Sequence, residues 1–207
     1  MESFCYVANL YRDGLSMKQF VVSLLFGAAF ASPVMAADLN GNLTPALAPA
    51  PPPEPFINEL RLGGFLHDLD SPEKNKGEDL NAELLFIKPW GTPDQWWLPR
   101  PELGTTINFE GGTSTVYAGA AWQYNITDWA FVEATFGGSL NNGKHSDFYS
   151  DRNGMGCNWA FRESASLGFN LTDHWRLMGT IEHNSNAGLC SNNRGLTNYG
   201  VRVGYKF

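Results

Sequence analysis

His183 and Ser185 stand two residues apart in the segment Ile181-Glu182-His183-Asn184-Ser185-Asn186-Ala187-Gly188-Leu189. Side chains on a β-strand alternate with period two, so this spacing puts an imidazole and a hydroxyl on one face. A base beside a hydroxyl is the minimal unit of nucleophilic catalysis, in which the imidazole takes the proton as the oxygen attacks a carbonyl carbon. His-x-Ser alone is unspecific. Its meaning depends on the strand that presents it.

That strand alternates without interruption. Trp175, Leu177, Gly179, Ile181, His183 and Ser185 share one face, and Arg176, Met178, Thr180, Glu182 and Asn184 share the other. The last segment repeats the pattern, with Thr197, Tyr199, Val201, Val203, Tyr205 and Phe207 set against Asn198, Gly200, Arg202, Gly204 and Lys206. Such two-sided segments suit a membrane barrel with a polar lumen, or a soluble barrel or sandwich. Phe207, an aromatic residue closing an apolar face, favours a bacterial outer-membrane barrel.

Eight candidate strands fit the chain, at about Glu59–Leu66, Leu80–Lys88, Glu102–Glu110, Ser114–Asn125, Trp129–Gly138, Asn158–Asn170, Trp175–Asn186 and Leu196–Phe207. Turn signals separate them at Glu110-Gly111-Gly112, Asn125-Ile126-Thr127-Asp128 and Leu171-Thr172-Asp173-His174. The expected fold is therefore all-β: an eight-stranded antiparallel transmembrane barrel with a long loop at Ser139–Gly156. Arg61, Glu83, Gln123, Glu133, Arg162, Arg176, Glu182 and Arg202 would point inward. An eight-stranded barrel is only wide enough to be filled by side chains, so these charges predict an ionic plug and no channel. Trp90, Trp96, Trp97, Trp122 and Trp129 suit an interfacial aromatic belt. Leu140-Asn141-Asn142-Gly143 reads as turn chemistry, and His67, His145 and His174 show no partner pattern.

The beginning of the chain reads as an export signal. Met17-Lys18, the apolar run Phe20 to Phe30 and Ala31-Ser32-Pro33-Val34-Met35-Ala36 predict a signal peptide over 1–36, cleaved after Ala36, with Met17 as the true start. The Pro-rich stretch 37–57 predicts an extended leader, leaving 58–207 for the barrel. A net charge of −7 argues against nucleic-acid binding, which needs a basic footprint.

If the apolar faces meet lipid, His183 and Ser185 lie on the outer wall, where polar side chains are costly. With the N-terminus in the periplasm, the seventh strand ends at the outer leaflet, facing lipopolysaccharide. His183-Asn184-Ser185-Asn186-Ala187-Gly188-Leu189 in such a seventh strand resembles the lipid A 3-O-deacylase (PagL) family of outer-membrane esterases. The resemblance implies hydrolysis of the ester-linked acyl chain at the 3-position of lipid A, without cofactor or metal. It further implies Ser185 as nucleophile, His183 as general base, and Asn186 and Gly188 in an oxyanion hole.

One position departs from the family. Where the family carries a Glu early in the last strand to orient the histidine, this chain has Thr197, which can accept a hydrogen bond but carries no charge. Loss of a triad acid generally lowers the rate by orders of magnitude. A substitute is available in Glu163, the single carboxylate on the apolar face Trp159, Phe161, Glu163, Ala165, Leu167, Phe169. A three-residue loop at Thr172–His174 sets Glu163 opposite His183, which predicts a carboxylate–imidazole hydrogen bond. The other reading of Glu163 is an interfacial carboxylate among headgroups. The same register brings Cys157 and Cys190 side by side above the rim, and an oxidising compartment predicts a disulfide between them.

Two further readings stay open. A non-enzymatic barrel, structural or adhesin-like, would use the long loop and leave Glu163, His183 and Ser185 unrelated. A soluble lipocalin-like barrel would turn the apolar faces inward.

Overall fold

The computed structural model describes residues 55–69, 77–91, 95–146 and 151–207. The expected signal peptide and all but the last three residues of the Pro-rich leader lie outside them. Among the described residues the chain forms eight strands: β1 (Ile57–Leu66), β2 (Glu78–Phe86), β3 (Arg100–Asn108), β4 (Thr115–Asn125), β5 (Ala130–Asn141), β6 (Trp159–Asn170), β7 (Trp175–Ser185) and β8 (Leu196–Lys206). Each pairs antiparallel with the next, and β8 returns to β1 to close the barrel. β1 begins at Ile57, opposite Phe86, one residue inside the expected leader. β5 runs on to Asn141, so Ser139, Leu140 and Asn141, expected in the long loop, belong to the wall. The side chains of Ser139 and Asn141 support the extension. Ser139 Oγ donates to Asn184 Oδ1 at 2.8 Å, and Asn141 Nδ2 donates to the Cys157 carbonyl at 3.2 Å, carrying the ladder past its apolar stretch.

The wall alternates strictly. Along β6, Arg162, Ser164 and Ser166 are buried while Phe161, Glu163, Ala165 and Leu167 face out. Arg61 is fully buried and its neighbour Leu62 is 50% exposed, which rules out the lipocalin-like arrangement: charge lies inside and apolar surface outside. Two of the tight turns share one device. Thr127 Oγ1 accepts from the amides of Trp129 and Ala130, and Thr172 Oγ1 accepts from those of His174 and Trp175, closing the β4–β5 and β6–β7 hairpins.

The lumen is an ionic plug. Arg61 donates to Glu59 at 2.7 Å, to Glu83 at 2.9 Å and to Glu133. Arg162 reaches Glu102 at 2.9 Å and Glu182 at 3.0 Å, with its guanidinium 3.5 Å above the Tyr117 ring. Burying such charges is tolerable only when the hydrogen bonds are made, and here they form one network. Glu59, Arg100 and Glu102 join it although the alternation pattern did not single them out. Glu59 and Glu102 open their sequence spans, and Arg100 enters the wall because β3 starts two residues earlier than its span.

Candidate active site

His183 stands on the outward face of β7 with one lateral neighbour on each side. The β6–β7 register sets Glu163 directly opposite it, and the β7–β8 register sets Thr197 opposite it. The hydrogen bond goes to Thr197: His183 Nδ1 lies 2.8 Å from Thr197 Oγ1. Glu163 occupies the expected pairing position, yet no hydrogen bond or ion pair joins it to His183, and its side chain is exposed. The expected Glu163–imidazole contact is thus corrected to a Thr197–imidazole contact. Reach explains it. Cross-strand Cβ atoms are about 4.5–5.5 Å apart, a gap closed by a threonine oxygen one bond from Cβ and a ring nitrogen two bonds from Cβ. A glutamate carboxylate sits two bonds further from Cβ than the threonine oxygen, and it makes no bond to the ring.

With Nδ1 committed to Thr197, Nε2 is the ring nitrogen left to exchange a proton with Ser185, which ends β7 on the same face. Both His183 and Ser185 are half-buried. Gly195 backs the imidazole: its φ of +72° is a conformation that favours glycine, and a Cβ there would lie 2.7 Å from His183 Cε1.

The segment after Ser185 is held from within. The buried Asn186 side chain donates through Nδ2 to the carbonyls of Met155 at 2.7 Å and Asn192 at 2.5 Å. Its Oδ1 accepts from Gly188 N at 2.9 Å, and its own amide donates to Asn193 Oδ1 at 2.8 Å. The donors expected to form the oxyanion hole on Asn186 and Gly188 are therefore already engaged, within the loop and with the Met155 carbonyl. Within Asn186–Leu189 the amide of Ala187 makes no hydrogen bond among the described residues. Ala187 and Gly188 both have positive φ, 53° and 76°. A disulfide joins Cys157 to Cys190 with Cα atoms 6.1 Å apart, tying this loop to the segment that enters β6.

Sequence reasoning did not single out Asn193, Gly195, Asp68 or Asn153, although each contacts the site's framework. Only Gly195 left a trace, as a glycine just before the last strand; the others are polar residues in turns, where such residues are ordinary. The remaining histidines find partners elsewhere: His67 Nδ1 with Asp79 at 2.8 Å, His145 with Asn158 at 2.8 Å and His174 with the Lys206 carbonyl at 2.9 Å. Among the described residues no group of three or more His, Cys, Asp or Glu is arranged to hold a metal ion.

The family model described as lipid A 3-O-deacylase (PagL) matches residues 86–206, which span β3 to β8 and every residue of the site named above except Asp68. The crystal structure of the outer-membrane enzyme PagL is similar in fold, with a TM-score of 0.55 and 17% sequence identity over 72% of this chain and 99% of that one. Neisserial surface protein A is also similar in fold, with a TM-score of 0.50 and 12% identity over 72% of this chain and 96% of that one. No curated protein matches the chain.

Proposed function

The chain belongs to the lipid A 3-O-deacylase (PagL) family, and from that premise we propose that it is a serine esterase of the outer membrane that removes the 3-O-acyl chain of lipid A. The observation that carries this reading is the Thr197–His183–Ser185 row, with a hydrogen-bonded imidazole and a serine on the outward face of a barrel whose arginine–glutamate network is turned inward. A polar row on a lipid-facing wall needs a purpose, and a lipid ester beside the wall supplies one.

The chemistry follows from the row. Nε2 of His183 takes the Ser185 proton as Oγ attacks the ester carbonyl carbon, and the carbonyl oxygen becomes an oxyanion. The free amide of Ala187 is the donor available to that oxyanion, while Asn186 and Gly188 shape the loop that presents it. Collapse breaks the bond to the sugar oxygen, which leaves with the proton from the imidazolium. Water, deprotonated by His183, then cleaves the acyl-enzyme and releases the fatty acid. Below the row on the same face, Ile181, Gly179, Ala165 and Ala134 help to line an apolar depression of about 810 Å³, a surface on which an acyl chain can lie out of the headgroups.

The test is mass spectrometry of lipid A from cells producing the protein or its Ser185→Ala form. Loss of one 3-hydroxyacyl chain from the 3-position, absent with Ser185→Ala and unaffected by chelators, is the expected result. Unchanged lipid A with a heat-modifiable, folded wild-type protein would reduce it to a non-enzymatic barrel.

A further inference from the structure

Asp68 lies just past β1 with φ of +35°, a region that a non-glycine residue keeps only when its surroundings hold it there. It is buried, 4% exposed. Its amide donates to Asn198 Oδ1 at 3.1 Å, its Oδ1 accepts from the Thr197 amide at 3.2 Å, and its Oδ2 accepts from Asn153 Nδ2 at 2.7 Å. The same Asn153 Nδ2 also donates to the Gly195 carbonyl. One buried carboxylate therefore bears on both supports of the catalytic imidazole. It touches Thr197, which bonds Nδ1, and through Asn153 it holds Gly195, which backs the ring.

A threonine hydroxyl leaves a problem that a carboxylate would not. It can donate or accept, whereas an ionised carboxylate only accepts. If Thr197 donates to Nδ1, the ring proton must sit on Nε2, and His183 has no lone pair for the Ser185 proton. A negative charge behind Thr197 removes the ambiguity. Held at the Thr197 amide, that charge favours the hydroxyl orientation that keeps an oxygen lone pair facing Nδ1–H. Glu163, the other carboxylate beside His183, makes no hydrogen bond to the ring and stands on the opposite flank.

The geometry points to Asp68 as the charged positioning residue of this site, acting through Thr197 to keep His183 in the tautomer protonated at Nδ1. The consequence for rate rests on the esterase reading above; the tautomer does not.

Both arms are measurable on the full barrel in detergent micelles. Nitrogen-15 spectra of labelled histidines, with His183 identified among the four by loss of its signal in His183→Gln, report which ring nitrogen carries the proton. The wild type should show Nδ1–H, and Asp68→Asn should show a mixed or reversed tautomer. In the rate arm, Asp68→Asn should lower kcat at least about tenfold with KM changed less than about twofold. Adding Thr197→Glu to Asp68→Asn should restore both Nδ1–H and most of the lost kcat, because the charge is then supplied directly. Asn153→Ala, which keeps the charge, should keep Nδ1–H, and this variant decides the matter if Asp68→Asn does not form a heat-modifiable barrel. An unchanged tautomer in Asp68→Asn, loss of Nδ1–H in Asn153→Ala, or an equal kcat loss with Thr197→Glu present would overturn the proposal. A wild type that releases no fatty acid would instead sink the esterase reading, while the spectra still decide this one.

Discussion

His183 Nδ1 lies 2.8 Å from Thr197 Oγ1, on the flank of β7 opposite Glu163. The imidazole is thus oriented by a neutral hydroxyl although a carboxylate stands one strand away. Removing the hydroxyl should therefore matter more than removing the carboxylate. Thr197→Ala is expected to lower kcat about tenfold or more, a loss of at least about 1.4 kcal/mol of transition-state stabilisation. Glu163→Gln should change it less than about threefold. Steady-state release of 3-hydroxy fatty acid by the two purified variants measures the order, and a larger loss in Glu163→Gln would return the orienting role to β6.

Gly195 is constrained both by conformation and by space. Gly195→Ala places a methyl 2.7 Å from His183 Cε1 at a φ of +72°. The left-handed backbone alone costs about 1–2 kcal/mol for a residue with a Cβ. The ring must move, so activity should fall by more than about tenfold while the barrel stays heat-modifiable. Retained activity would mean that the ring tolerates displacement.

The loop that follows Ser185 is held by a disulfide and by one buried amide. Replacing Cys157 and Cys190 by serine frees a loop whose ends are 33 residues apart, a constraint worth about 3–4 kcal/mol in the chain-entropy picture. The strand ladder does not depend on that link. The expected outcome is an intact barrel with faster proteolysis within 186–195 and lower turnover. Asn186→Ala, which removes three side-chain hydrogen bonds, should act in the same direction. Limited proteolysis with mass mapping reads both variants, and cleavage elsewhere in the chain would contradict the assignment.

Stability has a different centre. Arg61 neutralises Glu59, Glu83 and Glu133 at the bottom of the ionic plug, and all four are buried. Arg61→Met removes one shared cation and leaves Glu59 to Arg100 and Arg176, Glu133 to Arg100, and Glu83 to Arg162 and Arg202. Removing one partner of such a buried network generally costs about 3–5 kcal/mol. The urea midpoint of the purified barrel should drop accordingly. Because no plug residue hydrogen-bonds to His183 or Ser185, the activity of the fraction that remains folded should hardly change.

Much of this protein was legible in its residues. Period-two alternation assigned Arg61, Glu83, Arg162 and Arg202 to the lumen and His183 and Ser185 to the wall, because pleating leaves each residue only two directions to point. The short Thr172–His174 turn fixed the β6–β7 register, and with it the Glu163–His183 pairing and the proximity of Cys157 to Cys190, because a tight hairpin leaves no freedom in its register. Tertiary structure alone decided how that wall becomes a site. A strand in a closed barrel has two neighbours, and which one bonds the imidazole depends on side-chain reach across the β7–β8 pair, whose connecting loop is too long to fix a register from sequence. The donors expected on Asn186 and Gly188 are consumed by bonds within that loop and to the Met155 carbonyl. Asp68 comes to Thr197 from 129 positions away because barrel closure brings β1 against β8, and Asn153 comes to Asp68 from 85 away on the connection between β5 and β6.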